Sequence, residues 1–151
     1  MILDQVAKYN DPTDEDGHLY GAIIASLRDY RSSKAQGKYA EYHMAYCAHY
    51  VGDLSMPLHN TLYNSFNRQH HTAMDGIIND EVLDHLERIK IYPSQIKSEE
   101  DLVKEIARIA NFSMRLGYRL EAEDRMLSKE EAYVQLGHSA SLLKAILEYA
   151  R

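Results

Sequence analysis

Helical periodicity dominates this sequence, and almost no segment carries the pattern of a β-strand. No run of residues alternates cleanly between polar and apolar side chains with β-branched residues between turn signals. In the last third, a Ser-x-x-Asp start signal at Ser98 and Asp101 precedes an apolar stripe at helical spacing, and Ser128 with Glu131 repeats the signal. With 151 residues, the chain has the length of one domain. The sequence therefore predicts one all-α domain over residues 1–151, a single compact bundle of five to six helices.

The breaks in this pattern predict where the other helices begin and end. Pro57 disfavours helical backbone at Met56, so one helix should end near residue 55. Polar stretches predict loops at residues 31–37 and 60–67. The helices expected between these breaks cover residues 21–30, 38–55 and 70–91.

Charge and polarity exclude several classes of function. The formal net charge is −6, from 17 Lys and Arg against 23 Asp and Glu, and no basic block stands out. We therefore expect no stable electrostatic complex with nucleic acid. The longest weakly polar stretch, residues 44–54, is too short to span a bilayer, so no transmembrane segment is expected. The N-terminal residues show no signal-peptide pattern, and a single cysteine, Cys47, permits no intrachain disulfide.

Five residues of metal-ligand type lie close together in the middle of the chain. They form His49-x₃-Asp53, then His59, then His71-x₃-Asp75. A spacing of four residues places both members of each pair on one helix face. Imidazole nitrogens and carboxylate oxygens are zinc ligands. His59, His71 and Asp75 together would leave one coordination position open for water, as in catalytic zinc sites.

The first His/Asp pair would be half of a neighbouring zinc site. His49 and Asp53 need at least one further ligand, and His18 is the best candidate. Carboxylates near His18 in the sequence are Asp4, Asp14 and Asp16.

An ion-paired interpretation explains the spacing equally well. His49 and His71 would then be half-buried helix histidines held by Asp53 and Asp75, without any metal. The spacing alone does not decide between the two.

The sequence around these residues resembles a known metal-site segment. His49-Tyr50-Val51-Gly52-Asp53, Pro57-Leu58-His59 and His71-x₃-Asp75 follow one another in AHYVGDLSMPLHNTLYNSFNRQHHTAMDGIIND. This order is similar to that of the bacterial zinc-dependent phospholipases C, including the alpha-toxin type, and of the single-strand-specific nucleases in the same superfamily. The resemblance covers roughly residues 18 to 85. It implies a phospholipase C/nuclease-like helical fold, with one zinc on His59, His71 and Asp75 and a second on His49 and Asp53, with His18.

The resemblance also implies a function. The expected activity is zinc-dependent phosphoester hydrolysis of the phospholipase C type, in which metal-activated hydroxide attacks phosphorus. The substrate would be a phosphate ester, a phospholipid head group or a nucleotide, and the family pattern implies a secreted or periplasmic location. No catalytic residue is indicated beyond the metal ligands.

Departures from the family pattern leave two alternatives open. The chain has no Trp and its first histidine is His18, so the N-terminal ligands of a third zinc have no counterpart. Asp75 is nuclease-like, because the lipases usually have Glu there, whereas the spacing from His59 to His71 is lipase-like. A nuclease or nucleotidase of the same superfamily is therefore one alternative. A non-catalytic helical domain stapled by a metal is the other.

Overall fold

The computed structural model describes residues 1–151 and contains six α-helices and no β-strand. The predicted all-α class is confirmed. Three short 3-10 turns interrupt the connections, at Pro57–Asn60, Val82–Asp84 and Leu86–Arg88. None of the helices combines the length and apolar character that a membrane crossing requires. The helices are α1 (Ile2–Val6), α2 (Leu19–Ala35), α3 (Glu41–Ser55), α4 (Ser65–Asp75), α5 (Glu99–Ala122) and α6 (Lys129–Tyr149).

The C-terminal ends of two predicted helices are wrong, and both errors have a physical cause. Helix α2 continues through residues 31–35, which were expected to be a loop. Arg31 supports this extra turn, because its guanidinium donates to the carbonyl of Tyr149 at 2.6 Å. The helix expected over residues 70–91 ends at Asp75 instead, with Gly76 as its C-cap. Ile77 and Ile78, which fit a helical stripe, pack against the core from a turn.

Helix α4 begins earlier than predicted because a side chain caps it. Asn64 precedes the first helical residue, and its side-chain oxygen accepts the backbone N–H of Asn67 at 3.0 Å. This contact satisfies one of the N–H groups that the first turn of a helix leaves without a partner. Residues 65–67, expected to be part of a loop, are therefore helical.

The predicted start signals of the last two helices are real caps. Ser98 and Asp101 form a reciprocal capping box at α5, and Ser128 and Glu131 form one at α6. Glu131 also accepts two hydrogen bonds from Arg125, each of 2.9 Å. These hydrogen bonds are the largest of the effects that lower the pKa of Glu131 to about 2. The boundaries of these two helices therefore follow from local sequence.

The hydrophobic core has two parts, and the smaller one carries the candidate site. The larger part packs α2, α3, α5 and α6 together around residues such as Ile23, Leu54, Ile106 and Ile146. The smaller part contains Leu58, Met74, Leu116, Leu120, Leu127 and Ala132. Leu58 and Met74 are almost wholly buried, and each immediately precedes a predicted ligand, His59 and Asp75. Burial of these two anchors therefore holds the ligand-bearing segments near each other.

A glycine in α5 permits close approach of the turn that carries His59. A Cβ atom at Gly117 would lie 2.9 Å from the carbonyl oxygen of Pro57 and 2.6 Å from the Cγ2 atom of Thr61. Both distances are shorter than a packed Cβ atom allows. The turn at residues 57–60 therefore has its place because residue 117 lacks a side chain.

Replacing Gly117 by alanine is expected to destabilise the protein by about 1 to 3 kcal/mol, the usual cost of overpacking. Gly52 in α3 is the matched control, because a Cβ atom there would have nothing within 4 Å. Gly52→Ala should raise stability by about 0.5 to 1 kcal/mol, the helix-propensity difference. Urea denaturation followed by circular dichroism measures both. Equal stability of Gly117→Ala and the wild type would show that the turn can move without cost.

Candidate metal centre

Three predicted ligands converge where the turn after α3 meets α4. His59 lies on the 3-10 turn, while His71 and Asp75 lie one helical turn apart on α4. The Nε2 atoms of His59 and His71 are 3.1 Å apart. The Oδ2 atom of Asp75 lies 3.4 Å from the Nε2 of His59 and 3.2 Å from the Nε2 of His71. Three potential donor atoms therefore form a nearly equilateral triangle.

The triangle has the dimensions of a zinc site. Zinc lies about 2.0 to 2.2 Å from nitrogen and oxygen ligands, so a tetrahedral ion separates its ligand atoms by about 3.3 to 3.5 Å. The observed edges of 3.1, 3.2 and 3.4 Å are close to that separation. Two imidazoles and one carboxylate are also a donor set that zinc prefers. These residues therefore fit a zinc ion with three protein ligands and a fourth, open position.

The hydrogen bonds of Asn67 fix the tautomer of His71. Asn67 is 2% exposed, and its Nδ2 atom donates to the carbonyl of Leu58 at 2.7 Å and to the hydroxyl of Thr61 at 3.1 Å. Its Oδ1 atom therefore faces His71, whose Nδ1 lies 2.9 Å away and must donate a proton. The Nε2 atom of His71 is left with a lone pair that points to the centre of the triangle. This is the arrangement that a metal-ligating histidine needs.

Asp53 lies on the opposite side of His59. Its Oδ2 atom is 3.9 Å from the Nδ1 of His59 and 3.3 Å from the Nε2 of His49. The carboxylate is therefore an electrostatic neighbour of the imidazole that faces the triangle. The His49 side chain is 67% exposed, so this pair opens to solvent.

His18 lies in a different arrangement from the one predicted. Its Nδ1 atom is 2.7 Å from the Oδ2 of Asp14, a carboxylate that is 2% exposed and also accepts from Lys8. The hydrogen bond with His18 is the main cause that lowers the pKa of Asp14. Asp4 is exposed and pairs with the amino terminus instead, and Asp16 is exposed.

The structure groups the ligands of one predicted zinc and not those of the other. The ligand atoms of His59, His71 and Asp75 all lie within 4.8 Å of one another, and His, Cys, Asp and Glu form no other such group of three. His18 therefore does not complete a three-residue site with His49 and Asp53. The second zinc stays a prediction.

An ion pair alone accounts for only part of this geometry. The contact of 3.2 Å between His71 and Asp75 is what the spacing of four residues produces with or without a metal. It does not explain why the Nε2 of His59, from another element, completes the triangle at 3.1 Å from His71. Two imidazole lone pairs at that distance repel unless a proton or a cation lies between them. The convergence of all three residues is therefore compatible with a hydrogen bond between the two imidazoles or with a cation among the three donor atoms.

Two asparagines support the site through hydrogen bonds, and the pattern of metal-ligand residues in the sequence did not indicate either of them. Asn60, next to His59, is 9% exposed and donates to the carbonyls of Leu54 and Met56 at 2.9 and 2.8 Å. The hydroxyl of Tyr20 donates to the Oδ1 of Asn60 at 2.9 Å. Asn67 lies four residues before His71, so the spacing that indicates Asp75 as a partner of His71 also indicates Asn67. No spacing rule indicates Asn60, because its carbonyl partners lie at the end of α3 and just before the turn, and Tyr20 lies 40 residues away in the chain.

Comparisons with known proteins add no match to the resemblance seen in the motif residues. No protein-family model, no curated protein and no solved structure matches the chain. The resemblance to the zinc-dependent phospholipases C and nucleases thus rests on the motif residues of the middle segment. What bears on function in the structure is the donor geometry at His59, His71 and Asp75.

Proposed function

We propose that this protein is a zinc-dependent phosphoester hydrolase with its metal on His59, His71 and Asp75. The observation that carries the proposal is the triangle of two imidazole nitrogens and one carboxylate oxygen with edges of 3.1 to 3.4 Å. A bound zinc ion supplies Lewis acidity, which makes water nucleophilic at neutral pH and offsets the charge of a phosphoryl group. With three protein ligands, one position is available for that chemistry.

The charge and exposure of the ligands suit a phosphate ester. Two neutral imidazoles and one carboxylate leave the zinc site with a net positive charge, in a chain whose formal net charge is −6. The ligand side chains of His59, His71 and Asp75 are 23, 27 and 38% exposed, so a substrate can reach them from solvent. The metal thereby supplies the positive field that the side chains lack. The spacing from His59 to His71 in the sequence resembles the phospholipase C pattern, which favours that type of activity.

Removal of the metal tests the proposal directly. Elemental analysis after zinc saturation and desalting should find zinc retained by the wild-type chain. The zinc-loaded protein should hydrolyse bis-p-nitrophenyl phosphate or p-nitrophenyl phosphorylcholine, and a chelator should abolish the activity until zinc is restored. Hydrolysis that ignores the chelator, or tightly held zinc without hydrolysis of any phosphate ester, would contradict the proposal.

A nuclease or nucleotidase activity is the alternative within the same chemistry. Asp75, where the lipases usually have Glu, favours it. Single-stranded DNA and a nucleoside monophosphate belong in the same assay series, with the same chelator control. Preference for these substrates over p-nitrophenyl phosphorylcholine would assign the nuclease class.

A non-catalytic, structural zinc site is the second candidate function. The observation that favours it is that the three ligands join α4 to the turn at Pro57–Asn60, whereas the pair of His49 and Asp53 has no third ligand. Zinc would then stabilise the native state by mass action and no ester would be hydrolysed. Thermal denaturation with and without zinc, beside the activity assays, separates a structural zinc site from an enzyme.

A further inference from the structure

A small apolar cavity adjoins the candidate metal centre. It has a volume of about 280 Å³ and lies between the ends of α3 and α4, the turn that follows α4, and α6. Asp75 is one of its lining residues, so the cavity and the metal centre share a wall. Most of the remaining wall is apolar and includes Met56, Met74, Ile78, Val82 and Leu136.

The polar groups of the wall are few, and one of them is engaged elsewhere. Besides Asp75, only Ser55 and Asn79 contribute polar side chains. The hydroxyl of Ser55 donates to the carbonyl of Gly52 and accepts from the hydroxyl of Ser139. The only charged group of the wall is therefore Asp75. An apolar group that entered the cavity would lie beside the metal and would displace water from apolar surface.

We propose that this cavity binds the apolar ester group of the substrate whose phosphoryl group lies on the metal. The inference rests on the proposed function. The size of the cavity defines the class of ester, since an apolar protein cavity of about 150 Å³ accommodates a benzene molecule. A volume of about 280 Å³ holds one or two aromatic rings or a short alkyl chain. It does not hold the paired long acyl chains of a membrane lipid. The substrate class is thus an aryl or short alkyl phosphoester.

Gly52 keeps the cavity open from the side of α3. It is a lining residue, and a Cβ atom built on it meets nothing within 4 Å. The first atom of a larger side chain at position 52 therefore meets open space on the wall of the cavity. This makes Gly52→Leu a means of filling the cavity while α3 stays intact.

The test compares two ligands that share a head group and resist hydrolysis. Methylphosphonate and (2-naphthylmethyl)phosphonate are titrated calorimetrically into the zinc-loaded protein, after elemental analysis has established its zinc content. The wild type should bind the naphthyl compound about tenfold more tightly or better, because it buries apolar surface. Gly52→Leu should remove this preference and leave the affinity for methylphosphonate unchanged. Ala45→Leu, at an exposed position of α3 away from the cavity, is the matched control and should keep the preference.

Each result either supports or overturns the inference. If Gly52→Leu does not fold, Val82→Phe fills the cavity from the 3-10 turn at Val82–Asp84 and should remove the preference in the same way. A wild type that binds both phosphonates equally, or a preference that survives both substitutions, overturns the cavity assignment while the metal site stands. Failure of the wild type to hold zinc or to bind methylphosphonate overturns the proposed function, and the inference falls with it.

Discussion

Replacing His71 by alanine is expected to weaken zinc binding by more than 100-fold and to abolish phosphoester hydrolysis. His71 contributes one of the three donor atoms, and its Nε2 lies 3.1 Å from that of His59 and 3.2 Å from Asp75. Loss of a partner outside the ligand set alone costs about 10- to 100-fold in affinity, so loss of a ligand should cost more. Competition with a chromogenic chelator measures the affinity, and p-nitrophenyl ester hydrolysis measures the activity.

His70→Ala is the matched control for this substitution. His70 is the preceding residue on α4, and its ring packs against Phe66 with centroids 4.6 Å apart, outside the triangle of donor atoms. The control should retain zinc and activity within about twofold, as a substitution away from the ligands should. Zinc binding that survives in His71→Ala would place the metal elsewhere. Equal losses in both variants would indicate a general effect on α4.

Replacing Asn67 by leucine is expected to weaken zinc binding by about 10- to 100-fold although Asn67 does not touch the metal position. The Oδ1 of Asn67 holds the proton on the Nδ1 of His71, which leaves the Nε2 free for zinc. Leucine has a similar volume but no acceptor, so His71 can take the other tautomer, with its Nε2 protonated. Asn67→Asp retains the acceptor and should keep zinc binding closer to the wild type. It loses the donors to Leu58 and Thr61 and should be less stable.

The tautomer itself distinguishes this positioning role from a structural one. Imidazole ¹⁵N chemical shifts of the metal-free protein report which nitrogen of His71 carries the proton. We expect Nδ1–H in the wild type and Asn67→Asp, and a shift toward Nε2–H in Asn67→Leu. Asn64→Ala is the structural control, since it removes the cap of α4 at a cost of about 1 kcal/mol and leaves the tautomer unchanged. A wild-type tautomer in Asn67→Leu, or equal losses of affinity in Asn67→Leu and Asn64→Ala, would contradict the role.

The parts of the fold that depend on neighbouring residues were predictable. The starts of α5 and α6 follow from Ser98 with Asp101 and from Ser128 with Glu131, because a capping box is completed within four residues. The juxtaposition of His71 and Asp75 is equally local, since one helical turn separates them. The end of α4 was not predictable from periodicity. Ile77 continues the apolar stripe, and only packing against the smaller core shows that it lies in a turn.

The sequence by itself determined the all-α class, the caps of the last two helices and the His/Asp pairs, because hydrogen bonds and side-chain spacing within a few residues define each of them. Only the tertiary structure decided that His59 completes the triangle with α4 while His18 pairs with Asp14. The position of His59 depends on the hydrogen bond from Tyr20 to the neighbouring Asn60 and on the close approach of Gly117 to the turn. The cavity beside Asp75 likewise exists only where α3, α4 and α6 pack together. Contacts between residues far apart in the chain arise from packing, which no local spacing encodes.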